Sequence, residues 1–138
     1  AVSHLDNGQL DTPYRPGGWT LRQLVHHIAD SHQNAHCRIR MMLTEHEPII
    51  KPYDQDAWVN LPYVQTLPLQ ASLDIIRGLH ARWAALLATL PIEDFQRIYV
   101  HPEYGKSYTL EYVTGMYAWH SDHHLEHILR LKERQGWA

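Results

Sequence analysis

Residues 110–136 read LEYVTGMYAWHSDHHLEHILRLKERQG, and their spacing decides the fold class. Apolar side chains recur at Leu110, Val113, Tyr117, Ile128 and Leu131 on one face of an α-helix, expected to start after Thr109 and stop near Gly136. Between Tyr117 and Ile128 the stripe is interrupted, and the two positions that should fill it, 120 and 124, are both His. On adjacent turns their rings project inward together. Two imidazoles at core positions are costly unless each finds a hydrogen bond or a ligand. A divalent cation satisfies both, as zinc does with ring nitrogens at about 2.0–2.1 Å. A bond between the rings, or to buried water, is the competing explanation. His123 and His127 repeat the spacing on the flank of the stripe.

Two more helical segments lie upstream. Thr20 and Gln23 form a capping box ahead of Leu24, Val25, Ile28, Ala29, Ala35, Ile39, Met42 and Leu43, a pattern that runs to about Glu45, before Pro48. A second pattern, Leu69, Leu73, Ile76, Trp83, Leu87 and Leu90, ends at Pro91. The connector from His46 to Pro68 is rich in proline and aromatic residues, and Tyr53, Trp58 and Tyr63 are candidate cleft walls or plain loop packing. In the second connector a helical turn is expected at Glu93-Asp94-Phe95. A hairpin pairing Arg97–Val100 with Lys106–Tyr108 is expected around Pro102-Glu103-Tyr104-Gly105. The class is all-α, most simply an up-down bundle. Ala1–Gln9 are too few for a fourth full helix, and the groove left by three helices makes self-association an expectation.

Composition narrows the function classes. The 138 residues fit one domain, 1–138, and 44% hydrophobic against 20% charged residues is a globular balance. A net charge of −3 supplies no basic excess for binding nucleic acid. No apolar run is long enough to span a bilayer. The single Cys37 rules out an intrachain disulfide framework and a cysteine-built zinc site. Nothing at the start of the chain reads as a secretory signal, so the cytoplasm is the expected location. The outstanding count is 12 His, equal to Lys and Arg together.

A third ligand would have to come from another helix. On the first helix His26 points away from the apolar stripe, beside Arg22 and Asp30; His27 lies at its edge; His32 and His36 lie within it. Periodicity does not choose His27, and His32 is at least as good. His80, on the stripe of the second helix, reads as a core histidine bonded to a neighbouring side chain. His4, His46 and His101 are expected at the surface.

Several stretches together resemble a known family: Leu10-Asp11-Thr12-Pro13-Tyr14-Arg15-Pro16-Gly17-Gly18-Trp19-Thr20, Val25-His26-His27-Ile28-Ala29-Asp30-Ser31-His32, Lys51-Pro52-Tyr53-Asp54, Leu79-His80-Ala81-Arg82-Trp83, His101-Pro102-Glu103, and Trp119-His120-Ser121-Asp122-His123-His124-Leu125-Glu126-His127-Ile128. The chain resembles the YfiT branch of the DinB superfamily, whose members bear the names of candidate metal-dependent hydrolases, over nearly its whole length. The resemblance implies a four-helix bundle and one divalent metal per chain, zinc or nickel, held by His27, His120 and His124. It also implies a homodimer and a small-molecule substrate. The resemblance implies a further long helix before the Leu10–Thr20 run, expected here to be missing or cut to Ala1–Gln9.

Three neutral ligands leave a coordination position for water or substrate. That suits hydrolysis, and equally a metal-held thiolate attacking an electrophile; the resemblance implies the second as an S-transferase of a low-molecular-weight thiol such as bacillithiol. A non-catalytic metal-binding bundle is the third reading. Glu111, Asp122 and Glu126 fall on the polar side of the last helix, away from His120 and His124. Asp30 is a candidate to anchor a ring N–H of His27, or else a surface carboxylate pairing with His26 or Arg22. His123 and His127 are candidates for shuttling protons or supporting the ligands.

Overall fold

The computed structural model describes residues Ala1–Ala138. Three long helices carry the fold: α2 (Leu21–Thr44), α4 (Leu69–Ala88) and α5 (Leu110–Gln135). The N-terminal stretch holds one helical turn, α1 (Asn7–Leu10). The first connector contains α3 (Gln55–Val59), and the second contains the strands β1 (Ile98–His101) and β2 (Lys106–Thr109).

Local chemistry sets the helix ends. The Thr20 hydroxyl accepts the Gln23 N–H at 3.1 Å, and Gln23 Oε1 accepts the Thr20 N–H at 3.0 Å, the reciprocal box expected for α2. Thr109 caps α5 by accepting the Tyr112 N–H at 3.1 Å. Gly136, at φ 65°, closes the helix in the left-handed region that glycine enters without a Cβ clash. Thr109 is also the last residue of β2, paired with Ile98, so the hairpin fixes where α5 begins. The hairpin lies where expected, with β1 displaced by one residue from Arg97–Val100. It also ties down the first connector, because the Val100 N–H donates to Pro48 O at 2.9 Å and the Ile50 N–H to Val100 O at 3.1 Å.

Helix directions follow from the cross-helix contacts. His26 meets Ser72, His32 meets His80 and His36 meets Trp83, so α2 and α4 run the same way. His27 meets His124 while His32 meets Tyr117, so α5 runs against α2. The all-α bundle is as expected, and within it the three long helices run up-up-down. The cause is the connector at residues 45–68: α2, with 24 residues, is about 36 Å long, and an extended chain of similar length covers that return with slack.

Two apolar clusters fill the two ends of the bundle. One contains Ala35, Ile39, Met42, Trp83, Leu110, Val113 and Tyr117; the other contains Leu21, Leu24, Val25, Ile128 and Leu131. The histidines lie between them along α2, α4 and α5. Helix α2 is packed on several sides, against α4, α5, α3 and α1, and 14 of its 24 residues are buried. That corrects the expectation for His26, which is buried against Ser72 of α4 with Nδ1 2.7 Å from the hydroxyl. Arg22 is buried too, and bonds Asp11 at 2.7 Å and Asn7 at 3.0 Å.

Candidate metal centre

His27 on α2 and His120 and His124 on α5 bring three ring nitrogens to one point. His120 Nε2 lies 3.4 Å from His27 Nε2 and 2.9 Å from His124 Nε2. Two nitrogens on one zinc, at bond angles of 90° to 110°, are about 2.9–3.4 Å apart. The positions follow from the helices: residues 120 and 124 stack on adjacent turns of α5, and the antiparallel crossing lays His27 against them. The rings meet edge to face, with centroids 5.4 Å (His27–His120), 5.1 Å (His27–His124) and 4.3 Å (His120–His124) apart.

The donor set fits a borderline divalent cation. Three neutral imidazoles with converging Nε2 atoms cannot all satisfy one another with the protons they carry, whereas one cation accepts every lone pair. Burial first, then the neighbouring His120, lowers His27 to about 4. Burial, with the other imidazoles adding to it, lowers His120 to about 4 and His124 to about 3. All three are therefore neutral at pH 7, the state that ligates metal.

His32 is not in the converging group. It is only 1% exposed and stands behind His120, its Nε2 3.0 Å from His120 Nδ1 and its Nδ1 2.7 Å from His80 Nε2. If the Nδ1 of His120 carries the proton, its Nε2 presents a lone pair to the centre. The row His120–His32–His80 then runs back through the bundle to a groove of about 360 Å³ lined by His80, Trp83 and Asp122. His80 is thus bonded to a neighbouring side chain, as expected.

The centre opens into a cavity of about 480 Å³. Its walls include Tyr14, Trp19 and Trp119, with Arg15, Asp56, His123 and His127. Of the aromatic candidates from the first connector, none lines this cavity. Tyr53 faces a neighbouring polar pocket with Ser31 and Arg38, Trp58 packs on Tyr53 at 4.4 Å, and Tyr63 is exposed. The true walls were within reach of the sequence: Trp119 adjoins His120, and Tyr14 and Trp19 belong to the Leu10–Thr20 run. Asp56, a further lining carboxylate, gave no signal; its Oδ1 accepts the Trp19 Nε1–H at 3.1 Å.

The remaining candidates are dispersed. Glu126 bonds Arg130 at 2.6 Å and Glu111 accepts from Gln96 at 3.3 Å. Asp30 is half-buried, with its carboxyl raised by burial, and the structure does not bring it onto His27; Arg22 and His26 are taken by Asp11 and Ser72. His123 and His127 pair with each other, Nε2 to Nε2, at 3.1 Å. His4 and His46 are exposed as expected. His101 is not: it is half-buried, stacked on Tyr104 at 4.3 Å, because it ends β1 where the hairpin folds back.

No helix is long and apolar enough to cross a membrane. The family model of the DinB superfamily matches residues 1–128. YfiT of Bacillus subtilis is 49% identical over 138 residues, which is 100% of this chain and 78% of its own length. OB0782 of Oceanobacillus iheyensis is 49% identical over 136 residues, 99% of this chain and 78% of its own. Both bear the names of candidate metal-dependent hydrolases. The solved structure of B. subtilis YfiT, described as a probable metal-dependent hydrolase with an unusual four-helix bundle topology, matches with a TM-score of 0.97 at 48% identity, over 99% of this chain and 78% of that one.

Proposed function

The chain belongs to the DinB superfamily, and from that premise we propose that it is a metal-dependent hydrolase of a small-molecule substrate, with His27, His120 and His124 as the ligands of one zinc or nickel ion. The convergence of three neutral ring nitrogens on the wall of an open cavity carries this reading. A divalent ion bound there supplies Lewis acidity toward a substrate oxygen and makes water a stronger acid.

The chain's own residues do the rest. His32 holds the ring of His120 in one orientation through the 3.0 Å bond to its Nδ1. Trp19, Trp119 and Tyr14 offer flat apolar walls that grip the substrate's carbon framework and thin out the water around the reacting bond. Asp56, steadied by the indole N–H of Trp19, is the group placed to take a proton at the cavity wall, and Arg15 is a cation for an anionic substituent.

The test begins with elemental mass spectrometry on untagged protein beside a His120→Ala/His124→Ala variant. One ion per chain in the parent and almost none in the variant is the expected result. Protein that stays metal-free after incubation with zinc and nickel overturns the proposal. Metal-dependent cleavage in a panel of esters and amides then supports hydrolysis. Turnover of a low-molecular-weight thiol with an electrophile, and none of that panel, assigns the centre to thiol transfer instead.

A further inference from the structure

Helix α5 carries a second imidazole clamp that the three-histidine centre does not use. His123 and His127 face each other with Nε2 atoms 3.1 Å apart, ring centroids 4.4 Å apart and planes at 74°. For His120 and His124 the same quantities are 2.9 Å, 4.3 Å and 88°. The helix therefore builds one geometry twice. The separation in the outer pair falls within the range, about 2.9–3.4 Å, of two nitrogens on one ion.

The outer rings are held in place before any ion arrives. Trp119 lies nearly flat against His123, at 4.5 Å and 20°, and Tyr14 lies against His127 at 4.4 Å and 36°. Tyr14 is itself fixed by the Arg15 Nε–H donated to its hydroxyl at 3.0 Å. Both histidines line the cavity into which the three-histidine centre opens. A ring nitrogen of His124 lies within 4.8 Å of those of His123 and His127, as it does of those of His27 and His120. The charges nearby are mixed: Arg15 and Arg130 oppose a cation beside His127 while Glu126 favours one. Two half-buried ligands beside two guanidinium groups make a weaker site than three ligands of which two, His27 and His124, are buried.

We propose that His123 and His127 form a second divalent-metal site, for a borderline ion such as zinc, nickel or copper, in the same cavity as the inner centre. It binds more weakly than that centre and exchanges faster, with water or a substrate donor completing its coordination. The inference uses the reading of His27, His120 and His124 as metal ligands only for the order of affinities; the outer clamp stands on its own geometry.

Equilibrium dialysis of untagged apoprotein against zinc and against nickel, with elemental analysis, tests it. The parent is expected to take up two ions per chain, the second at least tenfold more weakly. His123→Ala/His127→Ala should bind one ion, with the tight affinity unchanged within twofold. His120→Ala/His124→Ala should lose the tight ion and keep the weak one. His127→Gln, which removes one donor, should weaken the second ion alone; circular dichroism of each variant checks that it folds. A parent that saturates at one ion lost from the inner variant, or a second ion that persists in the outer double variant, overturns the inference. A single ion lost only from the outer variant overturns the inner reading and leaves the outer site standing.

Discussion

Replacing His32 by Phe removes two hydrogen bonds and keeps a ring of similar size at a position that is 1% exposed. The partners left behind are unequal. His80 is half-buried at the groove and can turn to water. His120 loses the nitrogen 3.0 Å from its Nδ1, inside the bundle. An unsatisfied buried polar group costs about 1–3 kcal/mol, and loss of a hydrogen bond behind a metal-ligating histidine typically lowers metal affinity about 10–100-fold. The two figures agree, since a 10–100-fold loss corresponds to about 1.4–2.7 kcal/mol. Competition for zinc against a chromophoric chelator should therefore show a 10–100-fold weaker site in His32→Phe. His32→Gln, whose amide oxygen can accept from His120, should recover part of it, and His80→Gln should change it less. Nitrogen NMR of the imidazoles should show the His120 proton on Nδ1 in the parent and a mixture of tautomers in His32→Phe. Affinity within twofold of the parent would refute the positioning role. Abolition of binding as complete as in His120→Ala would make His32 a ligand, the alternative that periodicity left open.

Metal-free protein should lose stability as pH falls from about 6.5 toward 4. Burial holds His27 and His120 at about 4 and His32 and His124 at about 3 in the folded state, so in that window the unfolded chain binds more protons. Each such ring contributes up to about 1.4 kcal/mol per pH unit, and thermal melts that stay flat between pH 7 and 5 would contradict this account. Ile39→Ala, at a fully buried position of the larger cluster, should destabilise by about 2–5 kcal/mol in urea unfolding, without changing metal stoichiometry. Asp56→Asn should leave metal content unchanged and lower kcat for the hydrolysed substrate by about 10²-fold or more; unaltered turnover would remove Asp56 from proton transfer.

Much of this molecule is legible along the chain, because helix ends and faces are local. Thr20 with Gln23, Thr109, and Gly136 mark their boundaries through bonds to residues within one turn, and the break in the α5 stripe exposes His120 and His124 as an inward pair. The tertiary structure decided the remainder. Helices α2 and α4 run parallel because the intervening connector is long enough to return, which no helix pattern encodes. His26, His27, His32 and His36 share one helix, and periodicity gives each an angle about its axis but not the neighbour it meets. Packing on several sides buried His26 against Ser72, gave His32 the far nitrogen of His120, and set His27 opposite its near one. Asp56, in the first turn of α3, reached the cavity through a contact with Trp19, 37 residues away in sequence. Spacing within a helix is fixed by 3.6 residues per turn, whereas the meeting of two helices depends on crossing and register, set by every side chain in the interface at once.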